Sequence, residues 1–154
     1  MATIRELELG DVEDVVALLA VLFEQEADFT PDAARQRRAL YALLTEPERG
    51  ALLVATGDER DDGSGRAVGC VLLQRALSTA VGGDVCWLED FVVHPDHRGK
   101  GIGRQLLDAA VREAERRKWA QISVLTDHDN ERAQAMYTDA GFKRSGMVLL
   151  RHTC

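Results

Sequence analysis

The chain has 154 residues, of which 45% are hydrophobic and 29% charged, and its formal net charge is -7 at pH 7. These proportions are ordinary for a globular protein, and the length suits a single domain, 1–154, large enough for a real core. No apolar run approaches the ~20 residues of a membrane span, the N-terminus lacks a signal-peptide core, and the acidic balance argues against nucleic acid and fits a cationic partner.

In chain order, Thr3 to Leu9 is predicted as a first strand. Asp11 then suits the N-cap of a helix whose buried stripe is Val15, Leu18, Leu19 and Leu22. Glu24, Glu26 and Asp28 cluster at its C-terminal end, where negative charge opposes the helix dipole. Thr30-Pro31 predicts a second helix with Thr as cap and Pro in the first turn, ending before Pro47. Arg35, Arg37 and Arg38 are expected on its solvated face. Ala51 to Thr56 and Ala67 to Gln74 read as strands joined by a polar hairpin loop from Asp58 to Gly65.

Val85 to Val93 reads as the next strand, stopped by Pro95. From Ile102 onward, Ile102, Leu106, Leu107, Ala110, Val111 and Ala114 fall on one face of a helix. Gln121 to Thr126 is a further strand and Asp127 to Asp129 a turn. Asn130 caps a last helix with Ala133, Met136, Tyr137 and Ala140 on one face, and Gly141 suits its C-terminal end. Phe142 to His152 is predicted as the final strand region, with Gly146 at a bulge or bend. The result is an α/β architecture, a mixed β-sheet flanked by helices in the order β-α-α-β-β-β-α-β-α-β.

Cys70, Cys86 and Cys154 form neither a CxxC pair nor a metal-ligand spacing, and the first two sit in apolar strand-like runs where cysteine is a small core residue. The histidines His94, His97, His128 and His152 also lack metal spacing, so no metal is expected. Reduced thiols with no targeting signal imply the cytoplasm.

The most informative stretch joins the strand ending Phe91-Val92-Val93 to the helix starting at Ile102. Between them lie Arg98, Gly99, Lys100, Gly101, Ile102 and Gly103, followed by Arg104. Glycines admit a ligand close to the backbone, and a helix N-terminus offers free N–H groups at the positive end of a dipole. A pyrophosphate fits. No Ser or Thr follows Lys100 as a P-loop requires, and Gly-x-Gly-x-x-Gly fails at Arg104 and Leu106. What is present is Arg-x-x-Gly-x-Gly, at Arg98, Gly101 and Gly103.

That turn resembles the signature of the GNAT superfamily of acetyl-CoA-dependent N-acetyltransferases. A second block, Asn130-x-x-Ala133-x-x-x-Tyr137-x-x-x-Gly141-Phe142, resembles the superfamily's other signature segment, and the element order matches over essentially the whole chain. The resemblance implies direct attack of an amine on the acetyl thioester, with no covalent enzyme intermediate. An alkylammonium of pKa ~10.4 must first lose a proton, and a departing thiolate of pKa ~8.5 leaves faster once protonated. Tyr137 occupies the family position for the acid, although its place on the apolar face also suits simple packing. Phe91, Val92 and Val93 are implied to offer backbone groups to the pantetheine, in the manner of an added strand. The turn from Arg98 to Arg104 is implied to hold the pyrophosphate, with charge from Lys100 and Arg104, and Asn130 to contact the pantetheine arm.

For the base, Glu89 and Asp90 lie inside the apolar strand, where carboxylates are costly unless paired or used. In a regular strand they point to opposite faces, so one at most faces the acyl group; a bulge would lift that constraint. The run Leu88-Glu89-Asp90-Phe91 resembles the diamine (polyamine) acetyltransferase branch, which implies that Glu89 serves the amine through water. Glu26 falls where that branch carries an acidic substrate contact, although Gln25 replaces an aromatic residue there. Glu26 and Asp90 are thus expected to bind substrate. The expected partner is a small-molecule amine rather than nucleic acid or membrane, and the family's frequent dimers imply a homodimer. The alternatives are a protein N-terminal or lysine acetyltransferase, an enzyme for another small amine, and a non-catalytic acyl-CoA-binding module.

Overall fold

β-branched and aliphatic runs alternate along the chain with segments of helical periodicity, and each change of period marks an element boundary. The computed structural model describes residues 2–26, 28–59 and 64–154. Its strands are β1 (Thr3–Glu6), β2 (Gly50–Glu59), β3 (Gly65–Ser78), β4 (Gly83–Val93) and β5 (Ile122–Val124). Its helices are α1 (Val12–Gln25), α2 (Ala33–Thr45), α3 (Ile102–Arg116) and α4 (Glu131–Asp139). The hairpin tip expected between Asp58 and Gly65 lies partly outside the described residues.

The strands form one sheet in the order β1-β2-β3-β4-β5, antiparallel except for the parallel β4–β5 pair. A parallel neighbour needs a long crossover, which α3 provides. Leu52, Val54, Cys70, Leu72 and Val92 face one core with Val15, Leu18 and Leu19 of α1 and Leu40 of α2. Leu53, Val71, Leu73, Cys86 and Leu88 face the other with Ile102, Leu106, Leu107 and Ala110 of α3 and Tyr137 of α4. Among the described residues no helix is long and apolar enough to cross a membrane.

Several local expectations are corrected. Asp11 does not cap α1 through its side chain. It is only 2% exposed, accepts from both terminal nitrogens of Arg5 at 2.6 and 3.0 Å and from the Glu8 amide at 2.8 Å, and so ties β1 to the start of α1. A buried carboxylate needs that full set of partners. The second helix starts at Ala33 rather than at Pro31, because Asp32 accepts from the Arg35 amide at 3.2 Å and takes the capping role expected of Thr30. Arg37 is not merely solvated: it pairs with Glu13 through two hydrogen bonds, of 2.7 and 2.9 Å, joining α2 to α1.

The final strand predicted over Phe142 to His152 is not formed. Met147, Val148 and Leu150 are 91%, 82% and 89% exposed. An apolar run becomes a strand only where a neighbouring strand pairs with it, and this segment pairs with none of the described strands.

Candidate active site

The site is shaped by one irregularity in β4. Leu72 pairs with Glu89 and Cys70 with Val92, so Val71 alone opposes both Asp90 and Phe91. This is a β-bulge, and within it Asp90 takes the left-handed conformation, at φ 49°. The bulge removes the opposite-faces rule for Glu89 and Asp90. Glu89 is exposed, and its Oε2 accepts from Gln74 Nε2 at 2.8 Å. Asp90 is mostly buried, and its pKa is pushed up to about 6 by that burial and by the charges of Glu89 and Glu26.

The partnership of β4 with β5 stops just before the bulge. The parallel ladder covers Cys86 to Leu88 against Ile122 to Val124 and stops there. β5 ends at Val124, opposite Leu88, and the β5 side of Phe91, Val92 and Val93 has no ladder partner among the described strands. Phe91 and Val93 pack toward α3, whereas the Val92 side chain is buried against α1 and α2. The opening is therefore bordered by backbone amides, which suits an extended amide-containing ligand.

At the end of this opening the chain enters α3 through Gly99 at φ 76° and Gly101 at φ 80°. A Cβ at either would meet nothing within 4 Å, so conformation and not crowding requires glycine, and the space above the turn is open. Gly101 stands at the N-cap, so the N–H groups of Ile102, Gly103 and Arg104 open the helix without intrahelical partners. Gly103 seats α3 on β4 and α4: a Cβ placed there would lie 3.6 Å from the Phe91 ring and 3.8 Å from Met136 Sδ. Lys100 is exposed, and Arg104 pairs with Asp108 at 3.0 Å. Arg98 is engaged otherwise: its Nε donates to the Val93 carbonyl at 2.9 Å, folding the turn back onto the end of β4.

Tyr137 comes from the other wall. α4 starts where Asn130 Oδ1 accepts from the Ala133 amide at 3.1 Å, so Asn130 has a capping role of its own. The Tyr137 ring is 7% exposed and packs against Phe91 and Phe142, with centroids 6.4 and 5.6 Å away. Its hydroxyl bonds no described residue, and among the described residues no fully buried side-chain nitrogen or oxygen lacks a partner, so that hydroxyl is not completely enclosed. Burial pushes its pKa up to about 12, which keeps the hydroxyl protonated at neutral pH.

The carboxylates gather opposite. Burial raises the pKa of Glu26, helped by the negative charges of Asp127 and Asp28 and opposed by Arg151. Glu26 in turn acts on Asp90. The end of α1, the β4 bulge and the turn after β5 thus converge on one acidic region. Asp127 and Arg151 were not singled out by sequence: a turn accounts for the first, and the second lies in the segment predicted as strand.

A backbone-lined opening, an anion-ready helix start and a protonated tyrosine together fit a CoA thioester. The model of the acetyltransferase (GNAT) family matches residues 14–142. The chain belongs to the GNAT family. It is 27% identical over 98% of its length to the uncharacterised N-acetyltransferase YhfO of Bacillus subtilis, covering 95% of that protein. It is 28% identical to the D-amino-acid N-acetyltransferase HPA3 of Saccharomyces cerevisiae, over 60% of this chain and 57% of that protein. An integron cassette protein from the mobile metagenome of Cole Harbour Salt Marsh shares the fold with a TM-score of 0.81 at 27% identity, over 97% of this chain and 89% of that one. This GNAT protein is accordingly an N-acetyltransferase, and the family's donor is acetyl-CoA.

Proposed function

We propose that this enzyme transfers acetyl directly to a primary amine of a small cationic acceptor, of diamine or polyamine type. One observation carries the reading: burial, and after it the neighbouring negative charges of Asp127 on Glu26 and of Glu89 and Glu26 on Asp90, raise the pKa values of Glu26 and Asp90 in one acidic region built from separate parts of the chain. Like charges held together in partial burial are under electrostatic tension that a bound ammonium relieves. The Leu88 to Phe91 run and its resemblance to the diamine branch support the same acceptor. HPA3 is named for D-amino acids, whose carboxylate this acidic region would repel.

When bound, acetyl-CoA supplies a thioester carbonyl open to attack by an amine. The backbone edge of Phe91 to Val93 lies along the pantetheine, and the N–H groups from Gly99 to Arg104 hold the pyrophosphate, with Lys100 adding charge. Asn130 borders the pantetheine arm. Arg98 acts indirectly, by keeping the turn against Val93. Asp90 and Glu26 hold the ammonium groups, and exposed Glu89 takes the proton of the reacting amine through water. Tyr137 donates its proton to the departing sulfur.

Glu26→Gln preserves shape and removes one charge. Hydrogen bonds to charged groups contribute about 1.5–3 kcal/mol, so kcat/KM for 1,4-diaminobutane should fall by about tenfold or more. The value for 1-aminobutane should move far less, because it lacks the second ammonium. Equal effects on the two amines would remove Glu26 from acceptor binding.

A further inference from the structure

The C-terminal segment is held at its two ends and little between. Arg144 donates to Oε1 of Gln134 on α4, and Gln134 Nε2 donates to the carbonyls of Asp127 and His128 at 3.0 and 3.1 Å. Seven residues on, Arg151 donates to Asp28 Oδ2 at 3.0 Å. Its guanidinium also stands 5.2 Å from the centroid of Phe29, whose ring packs on Phe23 of α1. The apolar residues between these anchors are exposed and bury nothing that would fix them. The segment therefore spans from α4, which carries Tyr137, to the end of α1, which carries Glu26.

From this we infer that Arg151 is a built-in counter-cation of the acidic acceptor region, which an acceptor ammonium must displace, so that it sets how many positive charges the acceptor carries. The inference rests on the cationic-acceptor reading above. Two features of the contact suit displacement. The Arg151 and Asp28 side chains are 45% and 70% exposed, and an exposed pair of this kind biases an equilibrium by no more than about fivefold. Its chemistry also matches the ligand: a cation lying on an aromatic face beside a carboxylate is what an alkylammonium would make in its place. With Arg151 seated, Asp28 is already neutralised and only Glu26 and Asp90 are open to the acceptor's ammonium groups. With Arg151 away, Asp28 becomes a further partner for the distal ammonium.

Isothermal titration of 1,4-diaminobutane and of 1-aminobutane into the full-length protein, its Arg151→Gln variant and its Asp28→Asn variant, each with CoA present, tests this. Arg151 is half exposed, so folding is not at stake. Arg151→Gln should bind the diamine about fivefold more tightly, with 1-aminobutane changed much less. Asp28→Asn, which removes the distal carboxylate, should lack that gain. Equal or weaker diamine binding by Arg151→Gln, or no diamine binding by either protein, would overturn the inference. Failure here is separate from failure of the cationic-acceptor reading, because amine acetylation that depends on Glu26 would stand with Arg151 irrelevant.

Discussion

Tyr137→Phe should lower kcat by about 10²–10⁴-fold, the usual worth of a positioned general acid, and leave acetyl-CoA affinity nearly unchanged. The variant separates two roles that one residue combines. The ring is a core element, pressed between Phe91 and Phe142, and phenylalanine retains all of that packing. The hydroxyl contributes no hydrogen bond to a described residue, so its loss leaves no partner stranded in the core. Only the hydroxyl is lost. With its pKa pushed up to about 12 by burial, the hydroxyl is protonated throughout the neutral range, so the proton that the departing sulfur needs is in place. Steady-state kinetics paired with titration of CoA checks the split. Undiminished turnover would return Tyr137 to packing alone.

Gly101→Asp should abolish usable acetyl-CoA binding while the protein stays folded. At φ 80° the backbone is left-handed, a conformation that aspartate tolerates better than most residues, and its Cβ would meet nothing within 4 Å. The new carboxylate would sit at the N-cap of α3, where aspartate is itself a preferred cap. It would therefore compete for the N–H groups that hold the pyrophosphate and repel that anion as well. Losing two hydrogen bonds to a charged group, at about 1.5–3 kcal/mol each, weakens affinity by about 10²–10⁴-fold. Calorimetric titration of CoA into the folded variant is the check, and wild-type affinity would place the pyrophosphate elsewhere.

The left-handed glycine at Gly101 and the burial of Tyr137 on one face of α4 were legible in sequence, the first from a local conformational demand and the second from helical spacing. The α3 stripe of Ile102, Leu106, Leu107, Ala110 and Ala114 is buried as its periodicity predicts, although Val111 is only half-buried. Strand β4 and the glycine turn followed from β-branched residues, Pro95 and the glycines. What stayed hidden depends on pairing between distant segments. Nothing in Leu88 to Phe91 announces which of its residues will face two-against-one across from Val71, so the convergence of Asp90 with Glu26 could not be derived from alternation. Asp11 is a good cap by composition, and only the return of Arg5 beside it turns it into a buried clamp. Arg98 matched the turn signature, yet its guanidinium serves the Val93 carbonyl. The Met147 to Leu150 run has strand propensity without a strand to meet.

The central claim is that a small dicationic amine is the acceptor. Its most direct test is mass analysis of wild-type reactions containing acetyl-CoA with, in turn, 1,4-diaminobutane, 1-aminobutane, a D-amino acid and a peptide bearing a free N-terminus. The expected result is N-acetylated diamine formed with an equal amount of free CoA and with the largest kcat/KM of the four. Acetylation of the peptide or the D-amino acid in preference to both alkylamines would contradict it.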